Sequence, residues 1–211
     1  RLPQYGVRGK TKPVFVLRDT ARRTYPFGPV AAHVVGYLGA VSPEEFRDRG
    51  YRYSYDGDPL KKFKVDDPIG RTGIEAAFEP QLRGARGLVF GFCDVHGNHL
   101  SNLPSTQIER KFGSNVRLTL DVRLQQLAEQ ALDGQIALLE ATRRAEDPPI
   151  TGAVVLLDPR TGDVLAAASF PRYNLNAVTW SMKELSDDPR APLWFRATRG
   201  RYPLGSVFKI I

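Results

Sequence analysis

Apolar residues fall into short runs broken by proline and glycine in the first half of the chain, and into longer regular stretches in the second. Residues 14–17 form a brief apolar run before Arg18-Asp19. Residues 25–39 mix apolar positions with Pro26, Pro29 and three glycines, which favours strands and turns over a long helix. Ser42-Pro43-Glu44-Glu45 predicts a short helix ending by Gly50: the serine caps, the proline occupies the first turn, and Glu45 sits at the capping-box spacing. Residues 67–71 read as a turn. Ile74, Ala77, Phe78 and Leu82 recur at helical spacing, so an amphipathic helix is expected over 73–82, closed by Gly84. Residues 87–95 and the segment from Leu100 onward flank a polar His96-Gly97-Asn98 tip, the pattern of a hairpin.

In the second half, residues 116–120 predict a strand leading to Asp121, a strong helix cap. The long helix beyond it places Leu124, Leu127, Ala128 and Ala131 on one face. Gly134 weakens that helix by about 1 kcal/mol relative to alanine, and residues 141–149 end it. Residues 153–157 and 164–169 predict two strands joined by Asp158-Pro159-Arg160-Thr161-Gly162-Asp163, in which proline and glycine suit a tight turn. A polar loop and a proline-rich connection through Pro189 and Pro192 lead to Tyr202-Pro203-Leu204-Gly205-Ser206. The expected fold class is α+β. An irregular β-rich unit spans residues 1–113, and the start of an antiparallel sheet flanked by helices spans 114–211.

A length of 211 residues accommodates two such units. Apolar residues make up 42% and charged residues 25%, ordinary globular usage that excludes a disordered or fibrous chain. The net charge of +7 concentrates in the first half, with eighteen basic and twelve acidic residues up to Asn115 against twelve and eleven after it. Such a surface attracts polyanions, but no Lys/Arg block exceeds two residues and no zinc-finger spacing accompanies it, which argues against nucleic acid. A single cysteine, Cys93, excludes an internal disulfide framework. The longest stretch free of charged residues, 24–43, contains Pro26, Pro29, three glycines and His33, unlike a membrane span. Because the chain starts at Arg1 and stops in an apolar run at Ile210-Ile211, it reads as an internal fragment, with any anchor outside it.

Ser206 and Lys209 carry the candidate chemistry. Three apart on a helix, they share one face with β-carbons about 5–6 Å apart, so an amine reaches the hydroxyl. A serine hydroxyl is a weak nucleophile until a base takes its proton, and a helix beginning at Ser206 adds N–H donors and positive potential where charge develops. Gly9-Lys10-Thr11 lacks the upstream glycine of a phosphate loop, since Gln4 stands there. Cys93, Asp94, His96 and His99 are explained as residues of a solvated hairpin tip rather than metal ligands. No Ser-His-Asp arrangement is indicated, because His33, His96 and His99 all lie in the half without the serine. His33 is expected to be a packed, hydrogen-bonded residue, Glu75 and Arg83 to make ion pairs or partner contacts, and Trp180 and Trp194 to be core or groove aromatics.

Tyr202-Pro203-Leu204-Gly205-Ser206-Val207-Phe208-Lys209, preceded by Arg196-Ala197-Thr198-Arg199-Gly200, resembles the acylation motif of class B penicillin-binding proteins, particularly the elongation type. Gly152-Ala153-Val154-Val155-Leu156-Leu157-Asp158-Pro159-Arg160-Thr161-Gly162-Asp163-Val164-Leu165-Ala166 is similar to the first hairpin of their transpeptidase domain, and Leu118-Thr119-Leu120-Asp121 to its opening. In the first half, Ala31-Ala32-His33-Val34-Val35-Gly36-Tyr37-Leu38-Gly39 and Ile69-Gly70-Arg71-Thr72-Gly73-Ile74-Glu75 resemble the family's non-catalytic pedestal, or dimerisation, domain.

The resemblance implies a peptidoglycan D,D-transpeptidase that cross-links stem peptides by serine acyl transfer, with no metal or organic cofactor. Ser206 would be acylated by a stem peptide ending in D-Ala-D-Ala or by a β-lactam, with Lys209 as proton acceptor. It further implies a bacterial inner-membrane anchor upstream, periplasmic domains, and a membrane glycosyltransferase of the elongation machinery docked on the pedestal. The sequence differs from the family pattern at Leu204, where proline is common, and at Phe195, where asparagine is common. The family also uses Ser-x-Asn and Lys-Thr/Ser-Gly motifs downstream of the nucleophile, and the 211-residue sequence contains neither after Ser206. A neutral lysine base needs its pKa lowered from about 10.4 toward 7, worth about 4–5 kcal/mol of environment, so the 211-residue chain alone is expected not to acylate. Two other readings compete. One is a non-catalytic pedestal module of the wall-synthesis machinery with an incidental serine motif; the other is a penicillin-recognising hydrolase or sensor, which leaves the first half unexplained.

Overall fold

A computed structural model describes residues 23–49, 62–93 and 99–203. The fold is α+β, with short helices and, among the described residues, three two-stranded antiparallel sheets. Residues 25–39 form turns, then the four-residue α1 (Ala32–Val35) and β1 (Leu38–Ala40), so the segment holds turns and a strand with one short helix and no long one. Gly36 ends α1 at φ 79°, where a Cβ would lie 1.9 Å from the Thr72 carbonyl oxygen; no side chain fits there. β1 pairs antiparallel with β2 (Pro68–Gly70), Leu38 opposite Gly70 and Ala40 opposite Pro68. The expected turn at 67–71 is therefore largely strand, and the chain reverses just before it, at Asp66 with φ 68°. Between them lies α2 (Pro43–Arg49), whose capping box forms as expected: Glu45 N–H donates to Ser42 Oγ at 3.1 Å and Ser42 N–H to Glu45 Oε2 at 2.9 Å.

The helix expected over 73–82 is split into α3 (Gly73–Ala77) and α4 (Glu79–Leu82). Pro80 explains the break, since it has no N–H to continue the ladder and its ring clashes with the carbonyl one turn back. The expected hairpin follows as β3 (Leu88–Cys93) and β4 (His99–Ile108). Of the residues weighed as metal ligands, Asp94 and His96 lie outside the described residues.

Residues 116–120 do not form a strand. They make isolated bonds to the next sheet, Thr119 Oγ1 to the Val164 carbonyl at 2.7 Å and Asp121 N–H to that of Leu165 at 3.0 Å. α5 (Val122–Glu140) is capped by Asp121, which accepts from Arg123 and Leu124 N–H at 2.8 and 3.1 Å. Gly134 sits within it, with open space around its α-carbon. The buried face is not the expected one: Gln125, Glu129, Leu132 and Ile136 turn inward, and Leu127 is 60% exposed. β5 (Gly152–Leu157) and β6 (Val164–Phe170) form the expected hairpin, Val154 opposite Ala168. Leu132 and Ile136 pack on Ala168, Val154 and Phe170.

Sequence reasoning missed α6 (Val178–Asp187), while α7 (Arg196–Arg199) precedes the serine motif. A core between the two halves gathers Ala32, Tyr173, Leu175 and Val178, with Tyr25, Val35, Met182 and Leu193 around them. Trp180, 83% exposed, is a surface residue, whereas Trp194, 46% exposed, lines a groove with Thr198, Arg199 and Arg201, one of the two placements expected for it. Among the described residues no helix is long and apolar enough to cross a membrane.

Candidate functional site

Ser206 and Lys209 lie outside the described residues, and what the structure supplies is the support leading to them. It begins with β6. Ala166, Ala167, Ala168 and Ser169 are all buried, small side chains that let helices approach the strand closely. One edge of β6 pairs with β5, and the Gln125 side chain completes the other. Its Oε1 accepts from Ala167 N–H at 2.8 Å, while its Nε2 donates to the Ala167 carbonyl at 3.2 Å and to Glu129 Oε1 at 2.7 Å. A primary amide offers both a donor and an acceptor, as a peptide does, so Gln125 satisfies the strand edge where a further strand would otherwise pair.

β6 in turn holds α7. Ser169 Oγ accepts from Ala197 N–H at 3.1 Å, tying the first turn of α7 to the strand. The buried Arg196 guanidinium folds back on the loop before α7. It donates to the carbonyls of Ala191 at 3.0 Å and Trp194 at 3.3 Å, and also to that of Arg190. Burial holds its pKa below the ordinary arginine value; the group still stays charged at neutral pH.

The first half grips the same loop. The His33 ring donates from Nε2 to the Pro192 carbonyl at 2.7 Å, stacks on Phe195 at 5.6 Å between ring centroids, and meets Tyr173 edge-on at 5.1 Å. Burial lowers the His33 pKa, with Arg196 and Arg172 adding to the effect and the Pro192 bond opposing it. Tyr173 hydroxyl donates to the Ala32 carbonyl at 3.3 Å, and burial pushes its pKa up to about 12. Tyr25 and Asn176 exchange two bonds, at 3.0 and 2.8 Å, and Ala31 N–H donates to Glu129 Oε1 at 2.9 Å. Arg172 pairs with Glu129 and Asp133. His33 is thus the packed, hydrogen-bonded residue the sequence suggested.

The expected ion pairs of Glu75 and Arg83 are also present. Buried Glu75 accepts from Arg23 at 3.0 Å and from the Tyr25 hydroxyl at 3.2 Å, while Arg83 binds Asp67 at 2.8 Å and Glu79 at 3.4 Å. Sequence reasoning assigned no structural role to Gln125, Ser169 or Arg196, although Arg196 stands in the segment ahead of the serine motif. Apart from the Gln125–Glu129 pair, four residues apart on α5, their partners are backbone groups, which leave no side-chain pattern to read.

The profile of the Penicillin-binding Protein dimerisation domain matches residues 9–118, and that of the Penicillin binding protein transpeptidase domain matches residues 152–211. The chain is 32% identical over 214 residues to the peptidoglycan D,D-transpeptidase MrdA of Escherichia coli K12, covering 99% of this chain and 30% of that protein. Among solved structures, the penicillin-binding protein PBP2 in complex with MreC from Helicobacter pylori aligns with a TM-score of 0.57 at 28% identity, over 89% of this chain and 31% of that one. A chain from a structure described as coordinating polymerization and crosslinking by a peptidoglycan synthase complex aligns with a TM-score of 0.62 at 32% identity, over 82% of this chain and 29% of that one. The chain spans less than a third of the length of the curated relatives it matches.

Proposed function

Since the chain belongs to the class B penicillin-binding proteins, we propose that it is part of a serine D,D-transpeptidase that cross-links peptidoglycan. Ser206 is the nucleophile. Its Oγ attacks the carbonyl of the penultimate D-alanine of a stem peptide, Lys209 takes the hydroxyl proton, and terminal D-alanine leaves with a proton returned to its amine. An amine of a neighbouring stem peptide then attacks the acyl-serine ester, forming the cross-link and freeing Ser206. A β-lactam enters at the first step, its ring amide opening on Ser206.

One observation carries this reading. α7 is fastened to β6 through Ser169 and to its own approach loop through Arg196, so the chain leaving at Gly200 departs from a fixed point just ahead of the Tyr202-to-Lys209 motif. A serine–lysine pair needs such a support, because proton transfer falls off once the two groups drift out of hydrogen-bond reach.

The division between pedestal and transpeptidase parts falls near residue 113. The pedestal docks a membrane glycosyltransferase of the elongation machinery, an assignment that agrees with the synthase complex from which one structural relative comes. The whole protein is anchored in the bacterial inner membrane upstream of this sequence, with its domains in the periplasm.

Covalent labelling of the intact protein by a fluorescent penicillin tests the assignment. Ser206→Ala is expected to abolish labelling and Lys209→Ala to slow it about 10²–10⁴-fold, the range of general-base contributions. Undiminished labelling of Ser206→Ala would refute the assignment.

A further inference from the structure

A groove of about 1000 Å³ in the first half opens between the loop that follows α4 and the segment 110–116. Its walls are fastened to each other. Ala85 and Lys111 exchange backbone bonds of 2.9 Å in both directions, and Ser114 N–H donates to the Gln81 carbonyl at 2.7 Å. The two backbones run so close that a Cβ on Gly113 would lie 2.0 Å from the Leu82 carbonyl oxygen. The groove is therefore built into the fold.

Five cationic side chains and two carboxylates line it. Both carboxylates are engaged: Asp67 binds Arg83 and Arg86, and Glu79 binds Arg83. Arg23 is paired with Glu75. Arg110 and Lys111 are exposed and have no carboxylate partner among the described residues. The Arg110 guanidinium sits 4.9 Å from the centre of the Phe112 ring, and Phe112 is 79% exposed. A lone exposed aromatic calls for no explanation. Here the ring lies beside two cations that no carboxylate of the described residues pairs, in a groove lined by more cationic than acidic side chains. Cations recognise carboxylates through charge-assisted hydrogen bonds, and an aromatic face covers the apolar C–H side of a sugar ring.

We propose that this groove binds a carboxylate-bearing glycan of the cell wall, namely an uncross-linked peptidoglycan strand with free stem-peptide carboxylates, through Arg110, Lys111 and Phe112. The need for an anion comes from the groove itself; the choice of a wall glycan rests on the cell-wall reading above. Such a site would hold the strand on the pedestal while its stem peptides are processed elsewhere.

The test is fluorescence anisotropy of the intact protein with a labelled muramyl tetrasaccharide bearing tetrapeptides, released by a muramidase. The unmodified protein is expected to bind, and to bind equally after its transpeptidase site is saturated with a β-lactam. The double variant Arg110→Glu/Lys111→Glu is expected to bind at least about tenfold more weakly, as loss of a charged hydrogen bond predicts. The neutral pair Arg110→Gln/Lys111→Gln should show an intermediate loss, and Phe112→Ala a loss of several-fold. All of these positions are exposed, so melting temperatures should stay at the wild-type value. Lack of binding by the unmodified protein, equal binding by the charge-reversed variant, equal binding of a fragment with amidated carboxylates, or binding confined to anionic phospholipid vesicles would each overturn the proposal. Penicillin labelling of the same samples separates the two claims. Groove-dependent binding without labelling removes the enzymatic reading alone, and labelling without groove-dependent binding removes the groove alone.

Discussion

Replacing Gln125 by leucine isolates the role of one buried amide in holding β6. Leucine has a similar volume, so the cavity and overpacking contributions are small. What changes is hydrogen bonding: Ala167 N–H and C=O lose their partner, and Glu129 loses one of its donors while keeping Ala31 N–H. Gln125 is only 1% exposed, so water does not replace the lost partner. Each orphaned buried group costs about 1–3 kcal/mol, and two of them, offset in part by the more apolar side chain, give an expected loss of about 2–5 kcal/mol. For a chain of this size each kcal/mol at the midpoint is about 2–4 °C in Tm, so the melt should fall by roughly 4–20 °C. Urea unfolding provides the assay, with the midpoint lowered and the slope unchanged. A variant within about 0.5 kcal/mol of wild type would refute the reasoning. Gln125→Glu supplies a second arm, because its carboxylate would face the Ala167 carbonyl and Glu129. Burial and like charge raise its folded pKa above the unfolded value of about 4.3, so this variant should be most stable below that value and lose stability as pH rises.

Gly36→Ala should cost about 3 kcal/mol or more, since a Cβ at φ 79° would meet the Thr72 carbonyl; a stable, unshifted melt would contradict the geometry. His33 is held neutral by burial, so its folded pKa lies below the unfolded value of about 6.5. Its contribution is complete above that pH and is lost as pH falls through the folded pKa. Melting temperatures measured from pH 8 to 5 should therefore drop more for wild type than for His33→Gln, and parallel curves would show that His33 does not titrate in the fold.

Elements encoded by near neighbours were legible in the sequence. Ser42 with Glu45, Asp121 before α5, and Pro159 with Gly162 each specify a cap or turn within a few residues, and each element formed where expected. Elements decided by distant partners were not. β2 exists because β1 lies beside it, and α5 turns Gln125 and Glu129 inward because Ala167 and Ala31 offer them backbone groups. An apolar-face rule places Leu127 inside, whereas burying polar groups that are fully bonded rotates it out. The candidate site divides the same way. The spacing of Ser206 and Lys209 is visible in the string, whereas the fastening of α7 by Ser169 and Arg196 runs through backbone atoms and is visible only in the fold.

The bonds joining Tyr25 to Asn176, Tyr173 to Ala32, and His33 to Pro192 span 151, 141 and 159 residues. At about 5–20 residues per second of synthesis, the first member of each pair waits roughly 7–30 s for the second. During that interval the nascent first half holds Ala32 and Val35 ready for a surface that has not yet been made. The last lock to close is the one carrying the approach to Ser206. Damage to residues 173–196 therefore leaves the early part of the chain uncovered as well, and quality control at either end would sense the same defect.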